Sequence, residues 1–76
     1  MNELESLAAE ILKINAADLQ PEIALAKIPR WDSLKFMKLL VTLEKRFSIT
    51  FEAGDVARLV TWGDLKALIE KYRNLT

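Results

Sequence analysis

The stretch SLKFMKLLVTLEKRF, from Ser33 to Phe47, decides the fold of this 76-residue chain. At roughly 100° per residue, the advance of an α-helix, its apolar side chains fall on two stripes instead of one. A helix of this kind either lies between two packed layers or exposes one stripe to a partner. The first stripe, predicted to face the core, is Phe36, Leu39, Leu40, Leu43 and Phe47. The second is Leu34, Met37 and Val41, which either packs under the preceding loop or forms a docking surface.

On the N-terminal side of this stretch, the sequence predicts a helix and then a long loop. Asn2 and Glu5 form a capping-box pattern, and apolar residues follow at helical spacing until the helix ends near residues 14–15. From there to Trp31 the periodicity stops and two prolines interrupt the chain, which predicts a loop whose isolated apolar residues lie over the core. Loops this long often contain a short helical turn, predicted here at residues 16–19.

On the C-terminal side, two more helices are predicted. Thr61 and Asp64 form a second capping pattern at the start of a last helix, whose apolar residues share one face. A single short helix is predicted around Asp55 to Leu59. The predicted fold class is therefore all-α: a small four-helix bundle with three main helices, one short helix and a long first loop, in one domain over residues 1–76.

The composition excludes several classes of function. The chain has no Cys and no His, which excludes a disulfide scaffold and a thiolate zinc site and removes the commonest general base, so neither a catalytic residue nor a metal site is expected. Basic and acidic residues number 11 each, so a nucleic-acid binder is not expected, although the basic residues concentrate between positions 27 and 47. Without a long apolar run or a basic N-terminus, the chain is predicted to be soluble and cytoplasmic and not to insert into membranes. A monomer is also expected.

Two polar residues, Asp32 and Ser33, stand immediately before the periodic stretch. Either one is an ordinary N-cap for the helix that follows. A second interpretation is that the Ser33 hydroxyl is the attachment point of an anionic group, because free N–H groups and the helix dipole favour negative charge at a helix start. From the residues alone, both interpretations remain open.

Four motifs stand in register along the chain: Asp32-Ser33-Leu34, Leu43-Glu44-Lys45-Arg46-Phe47, Ile49-Thr50-Phe51 and Thr61-Trp62-Gly63-Asp64-Leu65. Together they resemble the acyl carrier protein family. The resemblance covers nearly the whole sequence, including the long first loop, and is far more specific than the Asp-Ser-Leu match alone. The chain is identified as a phosphopantetheine-binding carrier of the free-standing type.

The resemblance implies that Ser33, preceded by Asp32, receives the 4′-phosphopantetheine arm of coenzyme A from a separate phosphopantetheinyl transferase. The arm ends in a thiol that holds acyl or aminoacyl groups as thioesters, which also accounts for the missing Cys. The implied partners are an acyl- or aminoacyl-loading enzyme and downstream synthases or transferases. The residues predicted to contact partners are Leu34, Met37, Val41, Lys35 and Lys38.

Two features differ from the carriers of bacterial fatty-acid synthesis. Those carriers have a smaller residue before the Asp-Ser pair, where this chain has Trp31, and they are acidic along the second helix. Trp-Asp-Ser is similar to D-alanyl carrier proteins and to carriers of secondary metabolism. We therefore expect a dedicated biosynthetic pathway and not housekeeping fatty-acid synthesis. The basic residues along the second helix are Lys35, Lys38, Lys45 and Arg46.

Other classes of function fit less well. An enzyme built on Ser33 would need a base beside it, but there is no His, no Gly-x-Ser-x-Gly elbow, and Phe36 stands where a Ser-x-x-Lys pattern needs lysine. The chain is therefore not expected to be an enzyme. The alternative function is a non-catalytic helical protein-interaction module in which Ser33 is unmodified.

Overall fold

In a computed structural model, residues 3–74 are described, and they form four α-helices and no β-strand. The predicted all-α fold class and the number of helices are confirmed. The long first loop contains two short 3₁₀ turns, Ala16–Asp18 and Leu25–Lys27, the first at the predicted place. The helices are α1 Glu3–Leu12, α2 Ser33–Phe47, α3 Ala53–Ala57 and α4 Trp62–Asn74.

The first helix ends at Leu12, earlier than the predicted residues 14–15. Lys13 adopts a left-handed conformation, φ 59°, and the Ile14 N–H donates to the Ala9 carbonyl at 3.0 Å, which is a Schellman closure. Lysine gives no sequence signal for this conformation, because glycine usually occupies the position. The predicted Asn2 cap lies outside the described residues.

The bounds of α2 are those predicted. Asp32 is its N-cap, and Ser48, with φ 55°, ends it in the left-handed conformation that glycine most often supplies. The Ile49 N–H then donates to the Glu44 carbonyl at 3.0 Å, and the Ile49 side chain is buried. This closure turns the chain back towards the core after Phe47.

The two C-terminal helices also lie close to their predicted positions. The short helix α3 begins at Ala53, two residues before the predicted start. At the start of α4, the Asp64 N–H donates to Thr61 Oγ1 at 3.1 Å and the Thr61 N–H donates to Asp64 Oδ2 at 3.0 Å, so the predicted capping box is confirmed. Hydrogen bonds from the Thr61 and Val60 N–H groups lower the pKa of Asp64.

One core cluster joins α1, α2, α4 and the first loop. The loop is fixed to the start of α4 by three backbone hydrogen bonds, among them the Trp62 N–H to the Ile23 carbonyl at 2.9 Å. Gly63 is needed at this seam, because a Cβ there would lie 2.9 Å from the Pro21 carbonyl oxygen. The buried core residues are Leu4, Ala8, Leu12, Leu19, Leu25, Ile28, Leu39, Leu40, Leu43, Ile49, Trp62, Leu65 and Ile69.

Candidate attachment site at the start of α2

The two polar residues at the start of α2 have different structural roles. Asp32 has an extended backbone, and its Oδ1 accepts a hydrogen bond from the Leu34 N–H at 2.8 Å. Ser33 is the first helical residue, its side chain is exposed, and its hydroxyl forms no hydrogen bond with any residue of the described range. Asp32 alone caps the helix, so capping does not explain Ser33.

The segment before Asp32 is a tight turn that brings an aromatic side chain to the site. Arg30 has φ 60°, and the Trp31 N–H donates to the Ile28 carbonyl at 3.0 Å. The Trp31 ring then lies 5.0 Å from the Phe36 ring, measured between centroids, one turn into α2. This contact fixes the approach of the loop to the helix start.

The second apolar stripe of α2 is exposed. Leu34 is 80% exposed, Met37 53% and Val41 45%. The interpretation in which this stripe packs under the first loop is therefore wrong, because that loop lies against the start of α4. The other interpretation, a docking surface, stays a prediction.

An apolar cavity of about 350 Å³ adjoins this stripe. It lies between α2 and α3 and begins one turn beyond Ser33, at Met37. The sequence motifs do not indicate the α3 side of this cavity, although the apolar residues Val56 and Ala57 of the short helix are a signal for it. Its lining residues are Met37, Leu40, Val41, Glu44, Phe51, Ala53, Val56 and Ala57.

The basic residues of α2 fall into two groups. Arg46 forms an ion pair with Glu3 of α1, and its Nε lies 2.6 Å from Glu3 Oε2. In contrast, Lys35 and Lys38 form no ion pair with a residue in the described part of the chain. Positive charge without an ion pair in the described residues is therefore present near Ser33, at Lys35 and Lys38, and also at Lys45 in the last turn of α2.

Most of the predicted site residues lie at the N-terminal end of α2, and Val41 lies midway along it. Asp32, Ser33, Leu34, Met37 and Lys38 are all exposed there and extend down one side of α2 from its N-terminus. Lys35 is only partly exposed. In residues 3–74 no cluster of His, Cys, Asp or Glu could hold a metal ion, and no helix is long and apolar enough to cross a membrane.

Comparisons with known proteins identify the family. A family model described as "Phosphopantetheine attachment site" matches residues 2–69. The acyl carrier proteins of Helicobacter pylori strain J99 and of Exiguobacterium sp. strain AT1b are 31% and 32% identical over 68 residues, which cover 90% of this chain and 87% and 86% of those proteins. The solution NMR structure of holo acyl carrier protein from Geobacter metallireducens matches with a TM-score of 0.80 and 32% identity, covering 91% of this chain and 79% of that chain.

These matches confirm the resemblance that the four motifs carry, and with it the predicted prosthetic group. The matched region extends from before α1 to residue 69, so it includes α1, α2 with its exposed start, α3 and the first part of α4. The chain belongs to the acyl carrier proteins, the family with a covalently attached 4′-phosphopantetheine.

Proposed function

We propose that Ser33 Oγ is the attachment point of 4′-phosphopantetheine, and that the chain presents acyl or aminoacyl groups to partner enzymes. The observation that carries this proposal is the division of roles at the start of α2: Asp32 caps the helix, which leaves the exposed Ser33 hydroxyl without a structural role. A hydroxyl that no other contact uses is open to an incoming transferase.

The residues around Ser33 fit a phosphodiester-linked group. The positive end of the α2 dipole stabilises negative charge at the first helical residue, and the exposed lysines near this end add to the effect. Asp32 Oδ1 accepts the Leu34 N–H and so keeps the helix start in place during attachment. Ser33 Oγ bonds to the phosphorus next to the pantetheine group, the phosphoanhydride bond of coenzyme A breaks, the adenosine bisphosphate part leaves, and a base of the transferase takes the hydroxyl proton. The arm supplies a thiol, which forms thioesters with the cargo.

The chain itself supplies position and recognition, not catalysis. We assign it as a single carrier domain over residues 1–76, working in the cytoplasm as a monomer. A separate phosphopantetheinyl transferase supplies the arm from coenzyme A, a loading enzyme supplies the acyl or aminoacyl group, and downstream synthases or transferases accept it. Neither His nor Cys is present to activate Ser33, which supports the need for an external catalyst.

The basic surface of α2 supports a dedicated biosynthetic pathway over housekeeping fatty-acid synthesis. An enzyme surface that binds an acidic helix is repelled by Lys35 and Lys38, because like charges brought together at an interface disfavour the wrong pairing. The expected result is slow loading by an acyltransferase of fatty-acid synthesis whose surface binds acidic helices.

Intact-mass measurement tests the attachment site. The purified protein is incubated with coenzyme A and each of several broad-specificity phosphopantetheinyl transferases. Wild type should gain the mass of one arm, and Ser33→Ala should gain none while keeping its melting temperature, since the hydroxyl has no partner among residues 3–74.

Ser48→Gly is the matched control, because it removes another serine at the other end of α2 and suits the left-handed conformation there. This variant should accept the arm at the wild-type rate. If wild type gains no mass with any transferase, the interaction module with unmodified Ser33 becomes the better description.

A further inference from the structure

The exposed stripe of α2 is bordered by positive charge along one edge only. At roughly 100° per residue, Lys38 and Lys45 lie within about 40° of Leu34, on the side away from Met37, whereas Lys35 lies about 100° away. Lys38 and Lys45 are exposed and form no ion pair with a described residue. These two lysines, two turns apart on the same side of the stripe, are called the basic edge below.

The opposite edge of the stripe has a different character. Glu44 lies there, but its Oε2 accepts the Phe51 N–H at 2.8 Å, so this carboxylate is used in holding the turn after α2. Beyond it the surface continues into the apolar cavity between α2 and α3. A partner therefore meets apolar surface on one side of the stripe and lysines on the other.

From this asymmetry we infer that the stripe docks a protein partner whose apolar contact surface is bordered by Asp or Glu on the single side that faces Lys38 and Lys45. The inference rests on the proposed function, since an arm on Ser33 has to reach a partner enzyme. Apolar anchors give an interface most of its energy, and charges at its rim set orientation and association rate. The lysine rim therefore fixes which way round the partner lies on α2.

Other occupants fit the surface less well. In a symmetric dimer with antiparallel α2 helices, the basic edges of the two copies would lie close to each other, which is unfavourable. With parallel helices, each basic edge would face the Glu44 edge of the other copy, where the carboxylate is already used within the fold. A membrane-bound amphipathic helix needs its larger apolar face free, but in α2 that face is in the core, with Leu39 and Leu43 completely buried. A protein partner with an apolar surface and an acidic border is complementary both to the stripe and to its basic edge.

A pair of defined probes tests the inference on the unmodified protein. Two helical peptides, stabilised by a covalent staple, share the same leucine face; one has Glu along one edge of that face and the other has Lys at the same positions. We expect the Glu peptide to bind about fivefold more tightly at low salt, with the difference shrinking at high salt. In amide NMR spectra it should shift the signals of Leu34, Met37 and Val41.

Charge-reversed variants make the test specific for the basic edge. The double variant Lys38→Glu/Lys45→Glu should bind the Lys peptide more tightly than the Glu peptide. The matched control Lys27→Glu/Lys71→Glu changes the net charge by the same amount at exposed positions outside α2, and it should keep the wild-type preference. Thermal melts check that all variants are folded.

The inference is overturned if neither peptide shifts the stripe residues, if both peptides bind equally, or if Lys27→Glu/Lys71→Glu changes the preference as much as Lys38→Glu/Lys45→Glu. It is also overturned if vesicles of anionic phospholipid displace the Glu peptide from the stripe, or if sedimentation shows a dimer that Leu34→Glu dissociates. Because these measurements need neither the arm nor a transferase, their failure is distinct from a failure of Ser33 to be modified.

Discussion

Both stripes of α2 are apolar, but the leucines of the first stripe are buried and its two phenylalanines partly buried, whereas all three residues of the second stripe are exposed. Leu43 is 0% exposed and Leu34 is 80% exposed, although both are leucines on one helix. What differs is the surface opposite: the first stripe belongs to the core cluster with α1, α4 and the loop, and the second adjoins an open cavity beside α3. The molecule therefore has a packed side, which maintains the fold, and an open side next to Ser33, and substitutions on the two sides should have different effects.

The largest effect is expected from one substitution made on each stripe. Leu43→Ala should lower the free energy of unfolding by about 2–5 kcal/mol, because it removes buried contacts and leaves a cavity. Leu34→Ala should change it by less than about 0.5 kcal/mol. Chemical denaturation of both variants measures the difference, and similar losses would mean that the second stripe is also part of the core.

The two glycines extend the same comparison to the backbone. Gly63→Ala should lower the stability by about 1–3 kcal/mol, because the new Cβ meets the backbone oxygen of Pro21 and the seam between loop and α4 has to shift. Gly54→Ala in α3 meets nothing within 4 Å and should raise the stability by about 0.5–1 kcal/mol. The melting temperatures of the two variants should therefore change in opposite directions. A lower melting temperature for both would contradict the open space around Gly54.

The sequence predicted a feature of the packed or open side correctly where residues close to it in the chain determine that feature. The starts of α2 and α4 follow from side chains at or near them, Asp32 in one case and the Thr61–Asp64 pair in the other, so the sequence predicted them correctly. The bounds of α1 and α3 were wrong by about two residues. In α1 the cause is a lysine in a left-handed conformation, and α3 is only five residues long, too short for a clear periodicity.

The exposure of the second stripe could not be predicted, because it depends on where a distant loop packs. The loop's apolar residues were correctly predicted to cover the core, but nothing in them indicates which helix they cover. The backbone bonds of Ile23 and Leu25 to the start of α4 take the loop away from the outer side of α2. The sequence likewise could not predict that the Ser33 hydroxyl has no hydrogen bond within the described residues, because either Asp32 or Ser33 could have been the N-cap.

A smaller effect on stability is expected from the hydrogen bonds that join the short helix α3 and the residue before it to α4, on the packed side. Tyr72 of α4 donates its hydroxyl hydrogen to Asp55 Oδ2 at 2.6 Å and accepts the Glu52 N–H at 3.1 Å, so it holds α3 beside the cavity. Tyr72→Phe should lower the melting temperature, while Leu34→Ala, on the open side, should leave it unchanged. An unaltered melting temperature in Tyr72→Phe would show that packing alone holds α3.

The same tyrosine gives a pH dependence of known sign. The hydrogen bond to Asp55 raises the pKa of Tyr72 above its ordinary value of 10.0. The stabilisation is therefore complete below pH 10 and is lost as the pH rises through the raised pKa, because the unfolded chain releases the proton first. The stability difference between wild type and Tyr72→Phe, measured by denaturation at several pH values, should shrink above pH 10 and stay constant between neutral pH and pH 9.

The smallest effect on stability, and the sharpest test of the two sides, comes from reversing one charge on each. Arg46→Glu replaces the ion pair with Glu3 by repulsion and should lower the free energy of unfolding by about 0.5–1 kcal/mol, less at high salt because the pair is exposed. Lys38→Glu has no ion pair to lose among residues 3–74 and should change the stability by less than about 0.3 kcal/mol.

The rate of arm attachment should show the reverse order. Lys38→Glu slows arm attachment at low salt, and Arg46→Glu, whose charge is already used within the fold, leaves the rate unchanged. If the two variants slow attachment equally, the transferase responds to the net charge of the protein and not to the lysines beside the exposed stripe.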